Sequence, residues 1–100
     1  MSILIKVHES YRKIVAVSDS DLIGKQFIEG KLQLDIRESF YKGSEFNEEK
    51  AIEIMKSGAY DDATFNIVGK ESINAALKAR IIDKKGIIKI KGIPHAMSLT

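Results

Sequence analysis

The sequence predicts an α+β fold: one small domain over residues 1–100, with a mixed β-sheet of four to five strands and two main helices packed on one side. Three observations carry that expectation. Short apolar runs alternate with polar residues at period two, most strictly in Lys31-Leu32-Gln33-Leu34-Asp35-Ile36. Two longer segments, from Asn47 and from Lys70, have helical spacing with capping signals in place. The two kinds of segment interleave without repeat, linker or low-complexity stretch, and a chain of 100 residues supplies one modest core.

Taken in order, Ile3-Leu4-Ile5-Lys6-Val7 reads as a strand with Ile3, Ile5 and Val7 on one face and Lys6 and His8 on the other. Residues 9–13 are polar and short enough to join it as a hairpin to Ile14-Val15-Ala16-Val17. Ser18-Asp19-Ser20-Asp21 offers N-caps for a short helical turn through Leu22-Ile23, ending near Gly24. Glu29-Gly30 marks a turn into the strand at 31–36.

The first main helix starts at the Asn47 cap, with Phe46 placed to pack on Ala51. Glu48 and Glu49 complement its first turn and Lys56 its last, and Gly58 is the expected left-handed stop. Ala51, Ile54 and Met55 form its apolar stripe. Thr64-Phe65-Asn66-Ile67-Val68 is a strand. Gly69 then opens a second helix over residues 70–80, with Ile73, Ala76, Leu77 and Ile81 on one side. A turn at 83–86 leads to a final strand at 87–91, and Pro94-His95 reads as a turn.

Composition removes whole classes of function. With no cysteine there is no disulfide, thiol nucleophile or thiolate metal site. The opening MSILIKVHES is interrupted by Lys6 too early for a signal peptide, and no stretch approaches the ~20 apolar residues of a membrane span. A cytoplasmic protein with no membrane partner is the expectation. Its heavy use of isoleucine, lysine and glutamate suits a thermophile.

Charge is unevenly spread. Residues 1–50 carry eight Lys/Arg against nine Asp/Glu, whereas residues 51–100 carry eight against five. Six of those cations (Lys78, Arg80, Lys84, Lys85, Lys89 and Lys91) fall in one stretch with a single acid, Asp83. Such a stretch holds phosphate backbones when its cations share a surface. No aromatic ring is interleaved for base stacking. Each cation also has an ordinary role as helix-end, turn or edge-strand lysine.

Other chemistry finds less support. Gly24-Lys25 and Gly69-Lys70 both lack the upstream glycine and following Ser/Thr of a P-loop. The second copy still joins a strand to a helix N-terminus, so Gly69 and Lys70 are a candidate anion site. Glu48-Glu49 and Asp61-Asp62 fit a helix start and a turn better than acid–base work. His8 and His95 are the two histidines and would need neighbouring strands to meet. No catalytic residue, metal set or cofactor is assigned.

Asp21-Leu22-Ile23-Gly24-Lys25-Gln26-Phe27-Ile28-Glu29-Gly30-Lys31-Leu32, Phe40-Tyr41-Lys42-Gly43, Asn66-Ile67-Val68-Gly69 and Gly92-Ile93-Pro94-His95-Ala96 run in this order along nearly the whole chain. Together with Lys6-Val7-His8 they resemble a small archaeal family catalogued as a domain of unknown function. The resemblance implies a short archaeal protein and brings no activity or site with it. It also implies a glutamine after the Pro-His-Ala segment, where this chain has Met97.

The sequence thus points to a non-enzymatic module that contacts RNA or a ribonucleoprotein through Lys78, Arg80, Lys84, Lys85, Lys89 and Lys91, with His95 at the rim. A protein-interaction subunit, either a homo-oligomer or a complex component, is the alternative. A small-ligand binder or enzyme using His8 and His95 is the third reading.

Overall fold

The computed structural model describes residues 2–99, and its strands follow the alternation of the sequence. Strand β1 (Ile3–His8) and strand β2 (Ile14–Asp19) form the expected hairpin. After a 3₁₀ turn at Ser20–Leu22 come β3 (Gln26–Glu29) and β4 (Leu32–Asp35), paired as a separate ribbon. A single helical turn, α1 (Glu38–Tyr41), leads into β5 (Ser44–Phe46) and then helix α2 (Glu48–Tyr60). Strand β6 (Thr64–Val68), helix α3 (Lys70–Lys78), a 3₁₀ turn at Lys84–Gly86, β7 (Ile88–Ile90) and β8 (Ile93–Leu99) complete the chain.

The main sheet has six strands in the order β5-β1-β2-β6-β8-β7, so the α+β class is as expected and the strand number is larger. Among the described residues only β2 and β6 run parallel, and every other neighbouring pair in this sheet is antiparallel. Their parallel pairing brings Asp19, at the end of β2, beside Gly69, which follows β6.

Each face of this sheet has its own core. Ile3, Ile5, Val15, Val17, Phe65, Ile67 and Ala96 point to the side covered by α2 and α3, where Ala51, Met55, Ile73 and Ala76 meet them. Ala16, Val68 and Ile90 point to the other side and are covered by Leu22, Leu34, Ile36 and Tyr41. Burying each large apolar side chain contributes roughly 1.5–3 kcal/mol, so both layers stabilise the sheet substantially.

Helix α2 overruns its expected stop. Gly58 is helical and buried, and a methyl group there would lie 3.1 Å from the Phe65 ring, so its small size serves close packing. The left-handed residue after the helix is Asp62, with φ 59°. At the other end Asn47 caps as expected, its Oδ1 accepting the Lys50 N–H at 2.9 Å.

The largest correction is at the C-terminal end. The expected final strand is followed by a two-residue turn, Lys91-Gly92, with both φ values positive at 53° and 78°. That geometry returns the chain as a hairpin. Residues 93–99 are therefore a full strand inserted between β6 and β7, not a Pro-His turn. Pro94 is accommodated because it has no N–H to place and its carbonyl accepts from Gly69 N–H at 2.9 Å.

Candidate functional site

The basic stretch begins at the C-terminal end of α3 and runs along one edge of the sheet. Lys78 closes the helix, and its Nζ is 2.8 Å from Glu48 Oε1 on α2. Arg80 takes a left-handed backbone, φ 61°, that ends the helical path two residues beyond Lys78. Lys84 and Lys85 lie in the following 3₁₀ turn, where the Asp83 carboxylate accepts the Lys85 N–H at 3.1 Å. Lys89 is the middle residue of the edge strand β7. Lys91 opens the hairpin turn, its N–H donating to Glu29 Oε1 at 2.6 Å.

All six side chains are exposed. Among the described residues Lys78 has an ion-pair partner, whereas Arg80, Lys84, Lys85, Lys89 and Lys91 have none. Lys78 is thus partly neutralised by α2, and five cations remain along the edge.

His95 does not share that surface. In the β7–β8 register Ile88 faces His95 and Lys89 faces Pro94, so the His95 ring and the Lys89 side chain lie on opposite faces of the sheet. The ring is half-buried, and its Nε2–H donates to Asn66 Oδ1 at 2.9 Å. The same oxygen accepts from the Tyr41 hydroxyl at 2.7 Å. Burial lowers the His95 pKa below the ordinary imidazole range and pushes the Tyr41 hydroxyl up to about 12. Both groups are therefore neutral at pH 7. The rim role expected for His95 beside Lys89 fails on this geometry, because its donor proton is turned to Asn66.

His8 is an anchor for α1. Lys6 Nζ donates to the Ser39 carbonyl at 2.8 Å, and His8 Nε2–H donates to the Phe40 carbonyl at 2.8 Å. The His8 ring also stacks on Phe40 with centroids 4.7 Å apart, and Phe40 meets Tyr41 edge-on. Two residues apart on β1, Lys6 and His8 share a face and satisfy carbonyls of a helical turn too short to bond them internally. Strands β2 and β6 separate His8 from His95, roughly 14 Å across the sheet at the usual strand spacing. The two histidines do not form one site. Among the described residues no group of three or more His, Asp or Glu side chains is placed to hold a metal ion.

The Gly69-Lys70 helix start already holds an anion, supplied by the chain itself. Asp19 Oδ2 accepts the Glu71 N–H at 3.0 Å, and Oδ1 accepts the Ser72 N–H and Ser72 hydroxyl, each at 2.7 Å. Asp19 and Ser72 are buried. Gly69, at φ 106°, is the residue that lets the carboxylate in: a Cβ there would lie 2.3 Å from Asp19 Cγ. An external anion would have to displace this carboxylate, so Gly69 and Lys70 are not an open anion site.

Asp19, Tyr41 and Asn66 were missed as organising residues. Asp19 reads as one of several N-caps for the next turn, and nothing local signals a partner on α3. Tyr41 and Asn66 meet only because β6 lies in the sheet centre, which is a long-range property.

The family model described as "Protein of unknown function (DUF424)" matches residues 7–100. The chain belongs to this family. None of the curated proteins matches it. The chain is similar in fold to the crystal structure of an uncharacterized conserved protein from Methanopyrus kandleri, with a TM-score of 0.85 at 22% identity over 97% of this chain and 90% of that one. At that identity the likeness establishes the α+β fold alone. Among the described residues no helix is long and apolar enough to cross a membrane.

Proposed function

We propose that this protein is a non-enzymatic module that contacts RNA or a ribonucleoprotein through the cationic edge formed by Arg80, Lys84, Lys85, Lys89 and Lys91. One observation carries the reading: these five exposed cations have no ion-pair partner among the described residues, and the nearby acids Asp83 and Glu29 accept the backbone N–H groups of Lys85 and Lys91. Unneutralised, exposed cations are what release counterions from a phosphate backbone. Lys78 belongs to the rim, since Glu48 competes for its ammonium. With no aromatic ring in residues 78–91, the contact is to phosphates rather than stacked bases.

Binding of labelled RNA across a salt series tests it. Affinity that collapses with salt and with Lys89→Glu plus Lys91→Asn supports the reading, and affinity indifferent to both refutes it.

A further inference from the structure

We infer that the outer edge of β8, beyond the end of β7, is a strand-addition site for an extended acidic peptide of a partner protein. Strand β8 continues to Leu99, while β7 covers it only over residues 93–95. The register decides what remains open. Pro94 O bonds Gly69 N–H, so the backbone groups of Pro94 and Ala96 turn toward β6, and those of His95 and Met97 turn outward. His95 is opposite Ile88 of β7. Met97 would be opposite Gly86, but Gly86 N–H is committed to the Asp83 carbonyl at 3.0 Å in the 3₁₀ turn. Among the described residues Met97 N–H and C=O thus have no strand partner.

A cleft of about 510 Å³ lies where that partner would run, lined by residues including Arg80, Ile81, Asp83, Gly86, Met97 and Ser98. Its wall is braced, since the Ser98 hydroxyl donates to the Ile81 carbonyl at 2.9 Å. The Met97 side chain is 67% exposed, a large apolar group beside an unpaired strand edge.

The chemistry of the cleft selects the occupant. One residue presenting both N–H and C=O outward is matched by a peptide backbone, which supplies an acceptor and a donor; a phosphodiester supplies only acceptors. Arg80 lines the cleft and Lys84 and Lys85 flank Gly86, against one carboxylate, Asp83, that is already bonded to Lys85 N–H. Carboxylate side chains on the added strand meet that excess of cations. A second copy of this chain would bring the same cations against themselves. This site goes beyond the RNA reading: it shares Arg80, Lys84 and Lys85 with that surface but depends on a backbone edge and not on Lys89 or Lys91.

The test is an NMR titration of the labelled protein with a short peptide alternating glutamate and valine, and with its counterpart carrying lysine for glutamate. The acidic peptide is expected to shift the amides of Met97 and of residues 80–86 and to slow exchange at Met97. Met97→Pro removes the outward N–H at an edge position that tolerates proline, and should weaken peptide binding at least tenfold with the remaining spectrum unchanged. Lys89→Glu with Lys91→Asn should leave it intact. Equal binding of the two peptides, no shift at Met97, or full affinity in Met97→Pro would overturn the proposal. Shifts at Met97 caused by an RNA duplex instead, or by raising protein concentration alone, would reassign the cleft to nucleic acid or to self-association.

Discussion

Asp19 and Ser72, 53 residues apart in the chain, are joined twice: one carboxylate oxygen accepts both the backbone N–H and the hydroxyl of Ser72 at 2.7 Å. The pair ties the end of β2 to the first turn of α3 and satisfies helix donors that have no partner within the helix. It also explains why an apparent anion-binding start is closed.

Asp19→Ala should therefore destabilise the fold by about 3 kcal/mol, because it strands two backbone N–H groups and a buried hydroxyl together. Asp19→Asn keeps one oxygen acceptor and should lose about half as much. Urea unfolding of the two variants checks this. A loss under about 0.5 kcal/mol in Asp19→Ala would mean that water replaces the carboxylate without penalty.

Gly69→Ala probes the same junction from the other side. The added methyl would sit 2.3 Å from Asp19 Cγ on a backbone with φ 106°. Strain and displacement of the carboxylate should together cost about 2–3 kcal/mol, or roughly 10–20 °C in thermal midpoint for a domain this size. The double variant with Asp19→Ala should fall well short of the sum, since both changes break one contact. Additive losses would show that Gly69 acts independently.

Stability should also depend on pH in two separate windows. The folded pKa of His95 is lowered by burial below its ordinary 6.5, so the folded state takes up a proton less readily than the unfolded chain. Its contribution is whole above about pH 6.5 and is lost as pH falls through the lowered folded value. Tyr41 has the opposite sign: raised from 10.0 to about 12, it contributes fully below pH 10 and loses that contribution as pH rises toward 12. Chemical denaturation at pH 7.5 and 5.5 should show a drop in the wild type that is smaller in His95→Gln. Equal drops in the two proteins would remove His95 from the acid limb.

How much of this was legible in advance differs by element. The β1–β2 hairpin, α2 with its Asn47 cap, β6 and α3 are local patterns, and each forms where its periodicity lies. Strand β8 was hidden by Pro94, which argues against a strand interior, although Ile90-Lys91-Gly92-Ile93 carries a two-residue hairpin signal. Turn α1 was illegible because it is held by Lys6 and His8 on a distant strand. The cations of residues 78–91 were visible as charge, but the opposite facing of His95 and the engagement of Lys78 by Glu48 required the register and the helix pairing.

For the cationic edge, the expected salt response has a definite size. Each phosphate contact contributes a log–log slope of about −0.9 on a duplex and about −0.7 on a single strand. Losing the cations of Lys89 and Lys91 should make the slope shallower by about 2 on a duplex, while leaving the folded spectrum unchanged. A slope unchanged by the double variant would place any RNA contact elsewhere on the molecule.

The most direct measurement is fluorescence anisotropy of labelled duplex and single-stranded RNA titrated with the wild-type protein from low to physiological salt. Micromolar or tighter binding at low salt that weakens steeply as salt rises is the expected result, consistent with several lysine–phosphate contacts. No binding to either RNA at low salt would contradict it and leave residues 84–91 as a solvated sheet edge.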